Sequence, residues 1–533
     1  MTRVTRRSVL AGAALATAAI GASKTARAAG LQSTARGKLV IVSDVHIGDN
    51  SPTVWYQPKY HEPYLKALFD HVIANADAIQ ELIILGDFVD FWTYPPDRRP
   101  PSFAEIAAAN PMVFGPRGML NAALGALEGR VSYVRGNHDM TITQDDLDGV
   151  TNSQRYRIKL QDGDTYFPLG SDRRILCGHG HRWTMFNAPD TTTRLAPLPI
   201  GHFATRAFCY QLARTLAPGQ TVADLVHQGI PNGLDLGGLV KSVDSSIIET
   251  LVDYASDQTG LPMSEAILLP TGETTTLAEV KDIYRPLWSN WTAMGGGGRQ
   301  GQLMAFKAAF ADASNGTYLP WFAQRQALPA QAEVVIFGHT HVPVRGLKDG
   351  FIEYVNTGFD CASMPDMASR HFTFIEVDIE AAHAQIMQVA GDGTGGFAVG
   401  PFDGARRDEV VPRPAIDYST YVTLDNRAGA ADLVLSGAEA KEGFFVVPPP
   451  ARVARGERAR FWIQDYPGGH GSEGTATYQG ANGAVTLAFG CPTGLISNIA
   501  AGADFRSRIG NGDYGDLNHA PYTGHPFFVE FST

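Results

Sequence analysis

The sequence lacks the features that would place it in a specialised class. Charged residues make up only 18% of its 533 residues, and beyond the first 28 residues no apolar run is long enough to span a membrane. The net charge of −11 argues against a nucleic-acid partner or an anionic surface bound by general electrostatics. With 44% hydrophobic residues, the composition is that of a globular protein with room for two or three domains.

Cysteine is also scarce. The four cysteines are widely spaced and form no CxxC pair: Cys177, Cys209, Cys361 and Cys491. A disulfide would be compatible with a location outside the cytoplasm. Because Cys177 lies inside a predicted buried strand, we interpret it as a small core residue.

Residues 1–28 have the pattern of an export signal. They carry five basic and no acidic residues, with the pair Arg6-Arg7 before an alanine-rich stretch and Ala26-Arg27-Ala28 as a small-x-small cleavage site. The paired arginines predict a signal peptide of the twin-arginine type and a periplasmic or secreted protein. The alternatives are an ordinary secretory signal or a short membrane anchor.

The sequence contains one short pattern of residue types that occurs five times. A run of apolar, β-type residues ends in small residues, and residue types that bind metals follow at once. The five blocks are Leu39–His46, Leu82–Asp90, Val134–Asp139, Ile175–His181 and Val334–His341.

Continuous apolar runs of this length are typical of strands buried on both faces of a sheet. Such sheets place their chemistry just past the carboxyl ends of the strands, so we expect seven polar side chains to converge on one edge. These are Asp44, His46, Asp87, Asn137, His179, His339 and His341. They are too many for one ion, and a carboxylate that bridges two ions about 3.5 to 4 Å apart is an arrangement used to hydrolyse phosphate esters.

The series DxH, GDxxD, GNHD, GHGH and GHTH resembles the calcineurin-like metallophosphoesterase family over residues 37–390. The resemblance implies an α/β fold with four layers, α/β/β/α, and an enzyme with two metal ions. It implies that one ion is bound by Asp44, His46, Asp87 and His341, and the other by Asp87, Asn137, His179 and His339. It also implies that His138 acts on the leaving-group oxygen, with Asp139 orienting it. His181 is left without a metal, since the pattern asks for one ligand there and His179 fits it better.

This resemblance implies hydrolysis of a phosphodiester, pyrophosphate or phosphomonoester by a metal-bound hydroxide. Phe91 and Trp92 follow Asp90, so the sequence motif of the protein Ser/Thr phosphatases is absent. Asp90 also stands where purple acid phosphatases carry tyrosine. The motif GDFVDFW is more similar to the corresponding motif of bacterial pyrophosphohydrolases and phosphodiesterases. A mixed nitrogen and oxygen site accepts Mn, Fe, Zn or Co, so the metals stay open.

The spacing of the blocks predicts the domain organisation. The roughly 150 residues between the fourth and fifth blocks are too many for a plain connection and predict an inserted, mainly helical cap. Beyond it, short alternating strands separated by turns predict an all-β sandwich. The predicted parts are a phosphoesterase domain (37–181 and 333–390), the cap (182–332), a linker (391–418) and the sandwich (419–533).

Two features of the predicted domains allow two interpretations each. The cap tryptophans Trp183, Trp288, Trp291 and Trp321 could line a substrate pocket, but we favour the core of the cap. Arg98 and Arg99, in a proline-rich loop after Asp87, could contact a substrate phosphate, but we favour a solvated loop.

The sandwich supplies the rival function. The sequence of Gly471–Tyr478 loosely resembles the lipid-binding aegerolysin-like family. The predicted partners are therefore a phosphate-ester substrate for the enzyme and a lipid or membrane surface for the sandwich. The alternative is a lipid-binding or toxin-like protein whose sandwich is the working part. A structural appendage without a ligand is an equally good interpretation of the sandwich.

Overall fold

The computed structural model describes residues 36–151, 155–227, 245–313, 318–345, 352–362, 370–404, 406–407, 417–494, 496–510 and 524–533. The predicted export signal and residues 228–244 of the predicted cap lie outside these ranges. No helix within them is both long and apolar enough to cross a membrane.

Sixteen strands precede residue 408 in the described part of the chain. In chain order they are β1 (Lys38–Val42), β2 (Ile79–Leu85), β3 (Val131–Val134), β4 (Lys159–Leu160), β5 (Ile175–Cys177), β6 (Ile267–Leu268), β7 (Thr274–Thr275), β8 (Val334–Phe337), β9 (Val344–Arg345), β10 (Glu353–Asn356), β11 (Cys361–Ala362), β12 (Arg370–His371), β13 (Thr373–Asp378), β14 (His383–Gly391), β15 (Phe397–Pro401) and β16 (Arg406–Arg407).

Twelve of these strands form two main sheets, and β6-β7 and β11-β12 are separate two-stranded sheets. The first has the order β15-β14-β13-β1-β2-β3-β4 and the second the order β16-β9-β10-β8-β5. Strands β1 to β4 run parallel, as do β5, β8 and β10. Strands β13, β14 and β15 are antiparallel to their neighbours, and β9 is antiparallel to β10 but parallel to β16. The predicted α/β class is therefore confirmed, with mixed rather than purely parallel sheets.

Strand β1 shows why an unbroken apolar run was needed. Leu39 and Ile41 pack with Ile175 and Ile336 of the second sheet, whereas Val40 lies in the other core, with the helices that cover the first sheet. Both faces of β1 are thus buried, and the second sheet lies against one of them.

Twelve α-helices lie in the described residues. They are α1 (Pro58–Ala74), α2 (Phe103–Ala109), α3 (Pro111–Phe114), α4 (Met119–Ala126), α5 (Gln144–Val150), α6 (Ile200–Thr215), α7 (Val222–His227), α8 (Ile247–Thr259), α9 (Leu277–Tyr284), α10 (Leu287–Met294), α11 (Gly298–Ala313) and α12 (Leu319–Ala330), and a 3₁₀ turn spans His181–Trp183. Helices α2, α3 and α4 are not one continuous helix, because Pro111, Gly115 and Gly118 interrupt the chain between them.

Helices α6 to α12 occupy the region predicted to be the cap. Trp291 is 4% exposed in the core formed by these helices, and Trp183, Trp288 and Trp321 pack against the same core. This packing is what the core interpretation of the four tryptophans expects.

Ten strands follow Asp417 in the described part of the chain. They are β17 (Thr420–Asp425), β18 (Leu433–Glu442), β19 (Phe444–Val447), β20 (Arg452–Val453), β21 (Arg458–Gln464), β22 (Ser472–Gly480), β23 (Gly483–Cys491), β24 (Ile499–Ala501), β25 (Asp504–Ile509) and β26 (Phe527–Ser532). They form two five-stranded sheets, β19-β21-β17-β26-β25 and β20-β18-β22-β23-β24, so the predicted β-rich C-terminal region is confirmed.

The linker predicted for residues 391–418 is wrong for its first half. Strand β15 pairs with β14, and β16 pairs with β9, so residues up to Arg407 belong to the two main sheets. The glycines after Gly391 form the turn of a hairpin, in which Asp392 accepts hydrogen bonds from the backbone of Thr394 and Gly396. Turn residues within a hairpin look like a linker in a single sequence.

Helix α12 joins the C-terminal strands to the second sheet. Its residues Leu319, Ala323 and Ala327 share one apolar core with Val335 of β8 and Val422 of β17. The rings of Trp321 and Trp462 meet edge to face at 5.5 Å, and the Trp321 indole N–H donates to Gln464 at 2.7 Å. The C-terminal region is thus packed onto the rest of the protein and is not a loosely tethered module.

This shared core predicts that the described regions unfold together. Trp462 is 1% exposed, so Trp462→Ala should lower the free energy of unfolding by about 3 to 5 kcal/mol. Calorimetry should show one transition that moves to lower temperature as a whole. The control Val434→Ala, at a side chain 51% exposed, should leave it in place. Two separate transitions, only one of which moves, would contradict the shared core.

Candidate metal centre

Each predicted metal-binding residue lies in a loop that begins where a strand ends. Asp44 and His46 follow β1, Asp87 follows β2, and Asn137 follows β3 in the first sheet; His179 follows β5, and His339 and His341 follow β8 in the second. Asp44, His46, Asp87, Asn137 and His179 are at most 2% exposed. The facing sheets therefore bring all seven side chains to one edge.

The backbone at these positions is unusual. Asp44, His46, Asp87, His339 and His341 have φ of 57°, 56°, 49°, 75° and 54°. Left-handed backbone costs a residue with a side chain on the order of 1 kcal/mol or more, and such strain concentrates at functional sites. Five of the seven predicted ligands thus share a conformation that folding alone would not favour.

The first cluster contains Asp44, His46 and His341, whose ligand atoms lie within 4.8 Å of one another. The Nε2 atoms of His46 and His341 are 2.9 Å apart, and His341 Nε2 is 3.4 Å from Asp44 Oδ1. His46 Nε2 is also 3.8 Å from Asp87 Oδ2. The cluster is therefore continuous with Asp87.

The second cluster contains Asp87, His179 and His339. His179 Nε2 lies 3.1 Å from Asp87 Oδ2 and 3.2 Å from Asn137 Oδ1, and Asn137 Oδ1 is 2.9 Å from His339 Nδ1. Asp87 thus contacts both clusters. Its other oxygen, Oδ1, accepts the backbone N–H of His138 at 2.7 Å, which fixes the carboxylate with Oδ2 toward the clusters.

The hydrogen bonds around the two clusters leave acceptors facing one another. His179 Nδ1 is 2.8 Å from the Leu85 carbonyl oxygen and must donate to it, so in the neutral ring Nε2 is a lone pair directed at Asp87 Oδ2. His46 Nδ1 is similarly 3.1 Å from Asp90 Oδ2, which leaves its Nε2 as the second acceptor. Such partners on the far side of the ring are typical of histidines that bind metals.

Facing acceptors need a positive charge between them. Burial alone would lower the pKa of His179, but the carboxylates of Asp87 and Asp44 outweigh burial and raise it to about 10. Ligands bonded at about 2.0 to 2.2 Å lie roughly 3 to 3.5 Å from each other around an ion. The separations of the donor atoms here, 2.9 to 3.8 Å, agree with that requirement, so the residues present fit metal ions.

His138 lies beside the first cluster and is held by Asp90 and Trp92. Its Nδ1 is 3.1 Å from Asp90 Oδ1, and its ring stacks on Trp92 with centroids 4.4 Å apart. His138 is also within 4.8 Å of ligand atoms of His46 and Asp87, so the structure groups it with residues predicted to bind metal.

The expectation that Asp139 orients His138 is wrong in this structure. The Asp139 carboxylate accepts hydrogen bonds from the backbone N–H groups of Gly136 and Phe88 and from the Tyr133 hydroxyl. Its oxygens are therefore engaged by the turn that carries His138 and by the neighbouring loop, and the side chain that faces the His138 ring is Asp90. Asp139 fixes the shape of the loop rather than the imidazole.

His181 is buried but belongs to neither cluster. Its ring centroid is 5.4 Å from that of His179 and 6.4 Å from that of His339. Burial first, and then the neighbouring imidazoles, hold its pKa well below the ordinary value. A neutral, buried His181 packs behind the second cluster.

Two residues near the clusters were missed in the sequence. Asp90 contacts both His46 and His138, and its signal was present as the second aspartate of GDxxD. The ring of Trp55 lies 4.6 Å from His46, 5.3 Å from His138 and 5.7 Å from His341. Trp55 is in a loop with no distinguishing pattern, so only the structure could place it there.

The glycines in the blocks allow the strand ends to approach closely. A Cβ at Gly136 would lie 2.1 Å from Asp87 Oδ1, and one at Gly338 would lie 2.6 Å from Asp44 Oδ2. Either contact would displace a carboxylate of the clusters.

We expect Gly136→Ala to remove bound metal and hydrolytic activity, because the methyl group would push Asp87 out of position. Gly149→Ala in α5, where a Cβ meets nothing within 4 Å, is the matched control and should retain both. Metal analysis and an ester hydrolysis assay on the two purified variants measure the difference. Full metal content in Gly136→Ala would show that Asp87 does not depend on this contact.

A comparison with known families agrees with this geometry. The family model described as calcineurin-like phosphoesterase matches residues 37–238. The match includes the loops that carry Asp44, Asp87, Asn137 and His179 and ends before the loop with His339 and His341. The protein therefore carries a calcineurin-like phosphoesterase domain, and it is a metal-dependent phosphoester hydrolase. No curated protein matches the chain.

Proposed function

We propose that the protein hydrolyses phosphate esters with two metal ions that share Asp87. The position of Asp87 carries this proposal, because Oδ2 lies within 3.8 Å of His46 in one cluster and 3.1 Å of His179 in the other. The two facing sheets of the proposed four-layer α/β/β/α domain supply one set of ligands from each side.

The proposed ligands of the first ion are Asp44, His46, Asp87 and His341, and those of the second are Asp87, Asn137, His179 and His339. When bound, the ions would lower the pKa of water and take up negative charge from the phosphoryl group. Imidazole, carboxylate and amide donors together suit Mn, Fe, Zn or Co. The chain contributes the fixed orientation of these donors, through Leu85 for His179 and Asp90 for His46.

His138 is proposed to donate a proton to the leaving-group oxygen. Asp90 lies against Nδ1 of the ring and Trp92 against its face, so Nε2 is the ring nitrogen that we propose to contact a substrate. Asp90 is itself held by the backbone N–H groups of Trp92 and Thr93 at 2.7 and 3.0 Å, so the imidazole rests on a rigid support. A positioned acid of this kind typically accelerates a reaction by about 10² to 10⁴.

The substrate is proposed to be a phosphodiester, pyrophosphate or phosphomonoester. Arg98 forms an ion pair with Asp49, and Arg99 lies 3.2 Å from Glu105, so neither is proposed as a phosphate ligand. Export by the twin-arginine route remains part of the proposal on the strength of residues 1–28 alone.

The rival function, lipid binding by the C-terminal sandwich, has less in its favour. Within the described residues of the sandwich, the large apolar side chains that are exposed are Val434 and Ile496. Tyr421 and Trp462, which are both aromatic, are instead buried at the junction with α12. We therefore propose that the sandwich supports the enzyme rather than replaces it as the working part.

A substrate screen tests this proposed function. Protein reconstituted with Mn or Zn would be assayed against monoesters, diesters, pyrophosphates and phospholipids. We expect turnover of at least one phosphate ester, abolished by a chelator and restored by the metal. No turnover of any of them, together with vesicle binding by the full-length protein, would favour the rival.

Asp87→Asn should abolish hydrolysis and lower the metal content at both positions, because it weakens the ligand that they share. The control is Asp70→Asn, which changes a carboxylate on the surface of α1 whose side chain is 59% exposed. Elemental analysis of both variants gives the metal content. Two full equivalents of metal in Asp87→Asn would rule out the bridge.

His138→Ala should keep both metals while lowering kcat by roughly 10² to 10⁴ for esters with poor leaving groups. For nitrophenyl esters the loss should be smaller, because nitrophenolate leaves without a proton. The measurement is kcat for a series of esters that differ in the pKa of the leaving alcohol. An equal loss across the series would exclude the acid role.

A further inference from the structure

One face of helix α6 connects the cap region to the candidate catalytic histidine. His202 and Arg206 lie one turn apart on α6, so they share a face of the helix, and both are 0% exposed. The two side chains are directed at the loop 92–98, which follows Asp90. We call this pair the α6 face.

Arg206 holds the loop through its backbone. Its guanidinium donates to the carbonyl oxygens of Pro95 at 2.8 Å, Pro96 at 3.2 Å and Arg98 at 2.6 Å. A fourth hydrogen bond, at 3.0 Å, goes to the carbonyl of Leu268 in the cap region. Leu268 in turn donates its backbone N–H to Pro96 at 2.8 Å. One side chain thus ties the loop to two elements of the cap region.

Burial of the Arg206 guanidinium is unfavourable in free energy unless its interactions compensate for the loss of water. Among the described residues, Arg206 forms no ion pair, although the charge of Asp97 favours the cation, and its Nε has no hydrogen-bond partner. Burial lowers the pKa of Arg206 to about 10, so it keeps its charge at neutral pH. A buried cation without a carboxylate is expensive, and an apolar side chain would fill the space at lower cost. The planar guanidinium, however, can satisfy several carbonyls of one loop at once.

His202 completes the connection to the site. Its ring meets Trp92 edge to face at 5.4 Å, and Trp92 also stacks on the ring of His138 at 4.4 Å. Neither nitrogen of His202 has a hydrogen-bond partner among the described residues, so the ring acts here through its shape. Trp92 is 1% exposed and is held between His202 and His138.

We propose that Arg206 is a positioning residue, by which the cap region holds Trp92 against His138 and so aims the imidazole at the leaving-group oxygen. The inference rests on the proposed role of His138 as the acid. Release of the carbonyls of residues 95–98 would let the loop shift, and the Trp92 ring would shift with it, since only Thr93 and Tyr94 separate Trp92 from Pro95. The ring of His138 would lose the surface on which it stacks, whereas the metal ligands would keep theirs.

The test compares Arg206→Met with Arg214→Met. Arg214 is on the same helix, but it is exposed and bonded to Tyr210, so its loss controls for changes to α6. For an alkyl phosphate ester, Arg206→Met should lower kcat by about 10-fold or more, since small misplacement of a catalytic group costs on this order. For a nitrophenyl ester the loss should be much smaller. KM and metal content should stay near those of the unchanged protein, and Arg206→Lys should recover part of the rate.

A double variant separates positioning from general damage. In the His138→Ala background, Arg206→Met should cause no further loss on the alkyl ester, because its effect passes through the imidazole. If Arg206→Met does not fold, Trp92→Leu provides the same comparison. Equal losses on both esters, or full additivity with His138→Ala, would overturn the positioning role while leaving the phosphoesterase intact. If the unchanged protein hydrolyses neither ester when loaded with metal, both proposals fail.

Discussion

The structure depends on the burial of mutually facing acceptors at the edge of two sheets. Within each of the two clusters, the ring nitrogens of His46 and His179, the Asn137 amide oxygen and the carboxylate of Asp87 lie about as close to their neighbours as the ligands of one ion do, and they are shielded from water. Without a positive charge between them this arrangement is repulsive. The left-handed backbones of Asp44, Asp87 and the two histidines after β8 also reduce the free energy of unfolding.

The surrounding helices, strands and loops hold these side chains in place despite the repulsion and the strain. Apolar strands buried on both faces make the two sheets rigid. Because Gly136 and Gly338 have no side chain, the backbone at the strand ends can lie close to the carboxylates of Asp87 and Asp44. On the side of the first cluster, Asp90 and Trp92 support His138, and the α6 face supports Trp92. On the far side of the second sheet, α12 and the C-terminal sandwich close the core. The regions that looked separable in sequence are therefore parts of one support for the site.

Much of the site could be predicted from the sequence, because its signals are local. A run such as Leu82–Leu85 followed by Gly86 and Asp87 specifies a buried strand, a turn and a ligand type within six residues. The mixed sheets, the left-handed backbones and the direction of Asp139 are set by contacts between distant segments, and a single sequence does not show these. The hairpin at Gly391–Pro401 was read as a linker because turn residues and linker residues are the same types. Trp55, Arg206 and α12 have no local signature, since their roles depend on which surfaces meet.

The most direct test of the central claim is an anomalous difference map from a crystal of the protein loaded with Mn or Zn. The account predicts two peaks about 3.5 to 4 Å apart. One should lie among Asp44, His46, Asp87 and His341, and the other among Asp87, Asn137, His179 and His339, with Asp87 in contact with both. A single peak in a fully loaded crystal, or two peaks without Asp87 between them, would contradict the shared carboxylate on which the account rests.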